Sequence, residues 1–435
     1  MVDNREYILK TEHDNDVKFI RLWFTDILGF LKSFAITINE LEDALEEGVR
    51  FDGSTIHGFV RKTEKEMIAL PDIETFEILP WRPKSNSVAR MFCYIYNTDM
   101  TPYECDVRYI LYKNLKKASD KGYLFYVGPE IEFFLFKNSE SPQLLDRGGY
   151  FDLTPLDIAS DIRRQMVLTL EEMGIGVKTS HHEGAPSQHE IDLRHDDALT
   201  TADNIMTFKT ATKEIAQQNN IYASFMPKPL SQYNGCGMHI HQSLFKNEVN
   251  IFYDSNDELM LSDIAKHYIA GLLKHAPEFF ALSNQWVNSY KRLSYGFEAP
   301  IELSWSINNP SSLIRITTSR TDKPNSIRVE LRNPDPACNP YLLFSAILAA
   351  GLSGIEHNDP LPKPHNLNEK KSGFTTKSLP SNLSDALKLF EKSSLMREAL
   401  GDTLIELFIE NKFYELDQYN RHITDYEIDT YLPIL

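Results

Sequence analysis

Charged and apolar residues alternate from Gly128 to Phe136, so a strand there sends Glu130 and Glu132 to one face and Ile131, Phe133 and Leu135 to the other. The apolar side reads as buried. The same alternation over Met238–Phe245 groups His239, His241 and Ser243, and over Arg328–Arg332 it groups Arg328, Glu330 and Arg332 opposite Val329 and Leu331. Near the N-terminus, Val17–Thr25, Phe30–Ile36, Phe76–Leu79 and Val88–Tyr96 read as strands. A helix is expected over Asn39–Glu47, capped by Asn39 and stopped by Gly48. These elements predict a small α+β domain over residues 1–105, followed by a larger α/β domain over residues 106–435.

In that larger part, helices are predicted at Arg108–Lys121, Asp157–Met173 and Thr200–Asn219, each with 3.6-residue spacing of apolar positions. Val177–His182, Ile191–Arg194 and Tyr222–Met226 read as strands. From Pro340 the chain turns mostly helical, at Tyr341–Leu352, Leu383–Phe390 and Thr403–Tyr414. The most linker-like stretch is Lys363–Lys377.

Composition narrows the class. The 435 residues are 42% hydrophobic and 25% charged, which suits a globular enzyme. A formal charge of −17 argues against nucleic acid, whose phosphates need a basic surface. It leaves ATP open, because a metal and a few arginines can offset that charge. The four cysteines (Cys93, Cys105, Cys236, Cys338) form no C-x-x-C pair and suit a reducing compartment. The first residues lack the apolar core of a signal peptide, and no run approaches ~18 uninterrupted apolar residues. A cytoplasmic protein without a membrane span is the expectation.

The chemistry begins with the paired carboxylates. Two glutamates side by side next to a core repel each other and lose hydration, so either they face solvent or something positive lies between them. His181–Glu190 adds three histidines and two glutamates in ten residues. Glu130, Glu132, Glu183, Glu190, Glu330 and His239 form an oxygen-rich set with one imidazole, which favours Mg²⁺ or Mn²⁺ over zinc. Six ligands suffice for two ions, and paired ions suit phosphoryl transfer. Arg292, Arg315, Arg320, Arg328 and Arg332 are the supply of guanidinium groups. The Arg328–Glu330–Arg332 stripe reads either as a structural ion-pair network or as a holder of an anionic ligand. Asn234–Gly237 is either a tight hairpin or a loop whose glycines admit a small ligand. Asn288–Pro300 resembles a mobile flap bearing one acid, Glu298. There is no Walker A or G-x-G-x-x-G motif.

Taken in order, Phe51-Asp52-Gly53-Ser54, the Gly128–Phe136 strand, His181-His182-Glu183, Lys228-Pro229-Leu230 with Asn234–His239, Asn288–Leu293 and Arg328–Arg332 resemble type I glutamine synthetase, in its bacterial alpha subtype. The resemblance implies a small N-terminal β-grasp domain and a catalytic domain whose antiparallel sheet lines a metal-bound funnel, set between adjacent subunits of a double-ring homo-dodecamer. It implies that Glu132, Glu183 and Glu190 hold one ion, and that Glu130, His239 and Glu330 hold the other. Asn234, Gly235, Arg292 and Arg332 would bind glutamate. Arg315 and Arg328 would face the transferring phosphoryl group, with His241, Ser243 and Arg315 at the nucleotide. Asp52 of a neighbouring subunit would take a proton from ammonium, and Glu298 would close the flap. Arg61 stands where the subtype has a feedback-linked arginine.

The implied reaction uses ATP to turn glutamate into γ-glutamyl phosphate, which ammonia then attacks to give glutamine. Three positions depart from the family pattern. Pro310 replaces an arginine that faces the phosphates, Gly184 replaces valine, and Thr55 replaces serine. The small Gly184 raises a second reading, a γ-glutamyl-amine ligase for a larger amine. Pro310 raises a third, a catalytically weak binding or assembly subunit.

Overall fold

The structure, a computed structural model, describes residues 8, 11, 14–58, 64–294, 296, 298–317, 324–365 and 379–435. Arg61, Arg320 and most of the linker-like segment lie outside the described residues, as do Tyr295 and Phe297 of the flap.

The N-terminal part is a six-stranded sheet. Strand β1 (Val17–Thr25) pairs antiparallel with β2 (Leu31–Thr37), and the turn between them is built on Asp26. The Asp26 carboxylate accepts the N–H groups of Leu28 (3.0 Å) and Phe30 (2.9 Å). β3 (Val49–Asp52), β4 (Glu66–Pro71), β5 (Glu77–Ile78) and β6 (Ser87–Tyr96) complete the sheet, in the order β2-β1-β6-β4-β3 with β5 on β6. β1 and β6 run parallel, with the Leu41–Glu47 helix between them in the chain. This is the β-grasp domain that the resemblance implies.

The sequence reading missed β3 and β4. β3 has four residues, none fully buried, so it carries little periodic signal. The helix is also shorter than expected. A 3₁₀ turn over Ile38–Glu40 precedes it, and Glu40 rather than Asn39 stands at the cap position. Gly48 ends it with φ +72°, a conformation that costs glycine little.

The larger sheet has ten strands. Its spine is β7 (Leu124–Phe136), flanked on one side by β9 (Gln188–Leu193) and β8 (Val177–His182). The other side carries β12 (Met238–Lys246), β16 (Arg328–Leu331), β15 (Ser312–Thr317) and β14 (Glu302–Ser306). β10 (Asp196–Asp197) and β11 (Tyr222–Ser224) also pair with β7, and β13 (Val249–Asn250) pairs with β12. Ile131, Phe133 and Leu135 are fully buried in the main core, on the side covered by the Ala198–Gln218 helix. The opposite face is not wholly polar. Phe134 and Phe136 stack there, with ring centroids 5.4 Å apart, in a separate small core with Ala185, Leu230 and Cys236.

The Asp263–Ser283 helix, absent from the sequence reading, packs closely on the Pro340–His357 helix. Its residues are buried on several sides and it contains Pro277, and both features blur the one-sided pattern of an amphipathic helix. Glycines let the two helices approach, since a Cβ on Gly354 would fall 2.1 Å from the His267 carbonyl. No helix among the described residues is long and apolar enough to cross a membrane.

Arg108 ties the two parts together. It is 3% exposed, and its guanidinium donates to Asp203 on the Ala198–Gln218 helix (2.9 Å) and to Asp72 of the N-terminal part (2.8 Å). It also lies over the Tyr94 ring of β6, 4.3 Å from its centroid. Removing one member of a buried pair strands the other's charge. Arg108→Met is therefore expected to cost about 3–5 kcal/mol in urea unfolding. A loss below about 1 kcal/mol, the range of an exposed pair, would contradict this role.

Candidate active site

The register of the large sheet sets the site. Glu130 lies opposite His239 on β12 and opposite Asp192 on β9. Glu132 lies opposite Glu190, which lies opposite His181. Glu330 lies opposite His241 and Arg315. Directly opposed residues share a face, so acids, imidazoles and guanidiniums form adjoining rows on one side of the sheet.

A cavity of ≈ 570 Å³ opens over these rows. Glu130, Glu132, Glu183, Glu190, His239, Asn234, Gly235, Glu298, Arg315 and Arg332 all border it. A neighbouring cavity of ≈ 310 Å³ is bordered by His241, Arg328, His195 and Lys178, and shares Glu130 and Asp192 with the first. Glu330 is fully buried beneath the larger cavity's arginines, accepting from Arg315 (2.5 and 3.0 Å) and Arg332 (2.6 Å). The ion-pair reading of the stripe thus holds for Glu330 and Arg332, while Arg328 faces the smaller cavity.

Four expected residues lie elsewhere. Arg292 is buried behind the glycine loop, donating to the carbonyls of Asn333 (2.7 Å), Pro334 (3.1 Å) and Arg332 (3.2 Å). Ser243 is buried and hydrogen-bonds His195 Nε2 at 2.8 Å. Asp52 ends β3, accepts the N–H of Ser54 (3.1 Å) and of Lys65 (3.3 Å), and borders neither cavity. Thr55 is exposed in the turn that follows. Pro310 does border the larger cavity, where its carbonyl accepts from Arg332 Nε (3.3 Å). Gly184 borders it too, and a Cβ there would meet only the Asn234 amide, at 3.8 Å.

Crowding perturbs the carboxyls in opposite directions. Burial and the neighbouring Glu183 charge push Glu132 up to about 8. Burial, Glu132 and Asp192 push Glu190 up as well. Burial acts on Glu130 in the same sense, but hydrogen bonds from His239 (3.2 Å) and His241 (2.7 Å) outweigh it and hold Glu130 below the usual range. Glu183 is lowered likewise, its burial outweighed chiefly by His181 at 3.0 Å.

Carboxyls crowded together and pushed up by burial and like charge are a fit for divalent cations, which supply the missing positive charge. Among the described residues three donor sets have atoms within 4.8 Å of one another: Glu130–His241–Glu330 and His181–Glu183–Glu190 at the cavities, and the buried Asp146–His182–His189. His239 stands beside the first, 3.7 Å from Glu330, and also 4.0 Å from Glu132. The six expected ligands and these two further imidazoles therefore converge, as hard oxygen-rich ion sites require.

Sequence reasoning missed Gln188 and Asp192. Both lie on β9, two residues either side of Glu190, so alternation read from Gln188 rather than Ile191 would have found them. It also missed a buried set below the Glu183 turn. There His182 donates from Nδ1 to the Glu183 carbonyl (2.7 Å) and from Nε2 to Asp146 (3.1 Å). Arg163 donates to His189 Nδ1 (2.9 Å), which leaves the ring proton on Nε2, so this set braces the turn rather than holding a metal.

Fold and site together define the class: a two-part α+β enzyme working over the polar face of a sheet that is antiparallel as expected except where β14 and β15 run parallel. A family model described as glutamine synthetase, beta-Grasp domain matches residues 16–98, and one described as glutamine synthetase, catalytic domain matches residues 104–431. The chain is 48% identical over 442 residues to the glutamine synthetase of Mycolicibacterium smegmatis, covering 99% of each. It is 47% identical over 441 residues to that of Methanosarcina mazei, covering 99% of this chain and 98% of the other. The cryo-EM structure of Plasmodium falciparum glutamine synthetase superposes with a TM-score of 0.89 at 26% identity, covering 99% of each chain. A structure described as a GmaS/ADP complex superposes with a TM-score of 0.88 at 29% identity, covering 98% of this chain and 99% of the other. The chain belongs to the glutamine synthetase family.

The raised carboxyls predict a pH signature. Between pH 5 and 8 the folded, ion-free protein binds more protons at Glu132 and Glu190 than the unfolded chain does, so its stability falls as pH rises through that window. In EDTA the melting temperature should drop from pH 6 to pH 8, and Mg²⁺ should raise it more at pH 8 than at pH 6. An EDTA melting temperature that rises with pH over this range would contradict the assignment.

Proposed function

We propose that this chain is a glutamate–ammonia ligase, making glutamine from glutamate and ammonia with ATP through γ-glutamyl phosphate. The observation that carries this reading is the adjoining pair of cavities: one walled by carboxylates, imidazoles and arginines, the other joined to it at Glu130 and Asp192. One suits an amino acid with ions, and the other suits a nucleotide whose phosphates reach across the shared wall.

Mg²⁺ or Mn²⁺ held by Glu130, Glu132, Glu183, Glu190, His239 and Glu330 would supply positive charge over the phosphate oxygens. Arg332 and the Asn234–Gly235 loop orient glutamate. Arg292 contributes from behind, fixing the backbone of residues 332–334. Arg315 and Arg328, one on each cavity, stabilise charge on the phosphoryl group in flight. His241 faces the nucleotide side, with Ser243 behind it fixing His195. Glu298 borders the larger cavity, where its backbone N–H donates to the Asn234 side-chain oxygen (3.4 Å), a position from which its carboxylate can help shield the intermediate from water. Ammonium has no lone pair, so an acid must take its proton before attack. Asp52 lies off both cavities of its own chain, which supports its supply by a neighbouring copy in a double-ring dodecamer. A division of the chain near residue 105 and a cytoplasmic setting complete the proposal.

Phosphate release by the pure protein should require glutamate, ammonia and Mg²⁺ together and should saturate with ammonia at low millimolar levels. Faster release with methylamine, ethanolamine or putrescine would favour the larger-amine reading that the space beside Gly184 permits. No glutamate-dependent turnover would leave the binding-subunit reading. Arg315→Gln is expected to lower kcat by about 10²–10³-fold, as loss of a transition-state donor does. A change under threefold would remove Arg315 from the mechanism.

A further inference from the structure

Gln188 opens β9 on the polar face and is 1% exposed. Its amide has one workable orientation. Oε1 accepts the N–H of Ala185 (3.2 Å), while Nε2 donates to Glu132 Oε2 (2.9 Å) and to the Gly235 carbonyl (3.1 Å). A flipped amide would set oxygen against carboxylate and carbonyl, and nitrogen against an N–H. Glu132 Oε2 also accepts the Gly237 N–H (2.9 Å). A closed ring therefore runs from Glu132 through Gln188 to Gly235 and, by way of Gly237, back to Glu132.

Two consequences follow from the ring. Glu132 Oε2 is fully engaged, so Oε1 is the oxygen left toward the cage, 4.0 Å from His239 Nε2. The loop has little freedom to drift. A Cβ on Gly235 would fall 2.1 Å from the Pro227 carbonyl, and that same carbonyl accepts the Cys236 N–H (2.8 Å). A shift of Glu132 on ion binding is thereby transmitted to the backbone that borders the amino-acid site.

We infer that Gln188 is a positioning residue coupling the ion cage to the glutamate loop, so that filling one site tightens the other. The inference rests on the proposed reading of the cavity as an Mg²⁺ and glutamate site. Coupling of this kind is reciprocal, so Mg²⁺ should strengthen glutamate binding by the factor that glutamate strengthens Mg²⁺ binding. Gln188 is the side-chain link in this ring, and the Gly237 N–H is a second, backbone link to the same carboxylate oxygen.

The test compares wild type with Gln188→Met, which is similar in length and makes no such bonds. Mg²⁺ half-saturation is read by thermal shift with and without glutamate, and the glutamate KM is read at low and saturating Mg²⁺. In wild type each ligand should tighten the other several-fold. In Gln188→Met the Mg²⁺ half-saturation should rise about tenfold, as loss of an outer-shell partner does. Glutamate KM should rise, the mutual tightening should shrink at least about twofold because only the Gly237 link to Glu132 is left, and kcat at saturation should fall less than about threefold. A purely structural role would lower the melting temperature and leave the tightening factor intact, and that result overturns the inference. If Gln188→Met does not fold, Gln188→Asn, one carbon too short to span both contacts, carries the same test. A wild type with neither Mg²⁺-dependent shift nor glutamate-dependent phosphate release would instead refute the proposed function, and this inference with it.

Discussion

Repulsion among buried carboxylates is the constraint around which the catalytic domain is built. The pairing of β7 with β9 and β12 puts Glu130 beside Asp192 and His239, and Glu132 beside Glu190. A one-residue slip in either pairing would send the acids into the core and Ile131, Phe133 and Leu135 into the cavity. The buried side of β7 therefore enforces the acidic side: apolar burial holds in register a set of charges that would otherwise spread apart. Imidazoles and arginines offset part of the repulsion, and burial with the remaining like charge pushes the Glu132 and Glu190 carboxyls up. A site under such tension has a built-in appetite for divalent cations.

The surroundings look arranged to keep that tension from relaxing. Glu330 is clamped by two arginines, His182 holds the Glu183 carbonyl against Asp146, and Gln188 ties Glu132 to the glycine loop. Each contact fixes a donor atom or its backbone, the two arginines and Gln188 from the cavity's own wall and His182 from the buried side. Farther along β7, on the face that carries Glu130 and Glu132, Phe134 and Phe136 with Ala185, Leu230 and Cys236 form a small buried apolar cluster that adjoins the polar rows.

Much of this was legible in the sequence because a period of two is hard to imitate. Alternation placed the acids of β7, the histidines of β12 and the stripe of β16 on shared faces, and the structure brings them together. Alternation says nothing about which strand lies beside which: Asp192 falls inside the expected Ile191–Arg194 strand and only its pairing with Glu130 brings it to the site, while Gln188 precedes that strand's expected start. It also cannot separate a side chain facing a cavity from one facing the backbone behind it. Arg292 and Ser243 were expected at ligands, and the structure sets them as buried supports. Short elements lacked enough residues to show a period, as with β3, and the Asp263–Ser283 helix is buried on too many sides to show one. The Asn39 cap failed for a local reason: a 3₁₀ turn moved the helix start to Leu41.

The most direct test is to count the ions. Protein stripped of divalent metal should take up two Mn²⁺ per chain, with electron paramagnetic resonance spectra broadened by coupling between close ions. Glu130→Gln and Glu190→Gln should each lose one of the two. Uptake of no Mn²⁺, or of two ions that both survive these substitutions, would contradict the convergence of these acids into an ion cage.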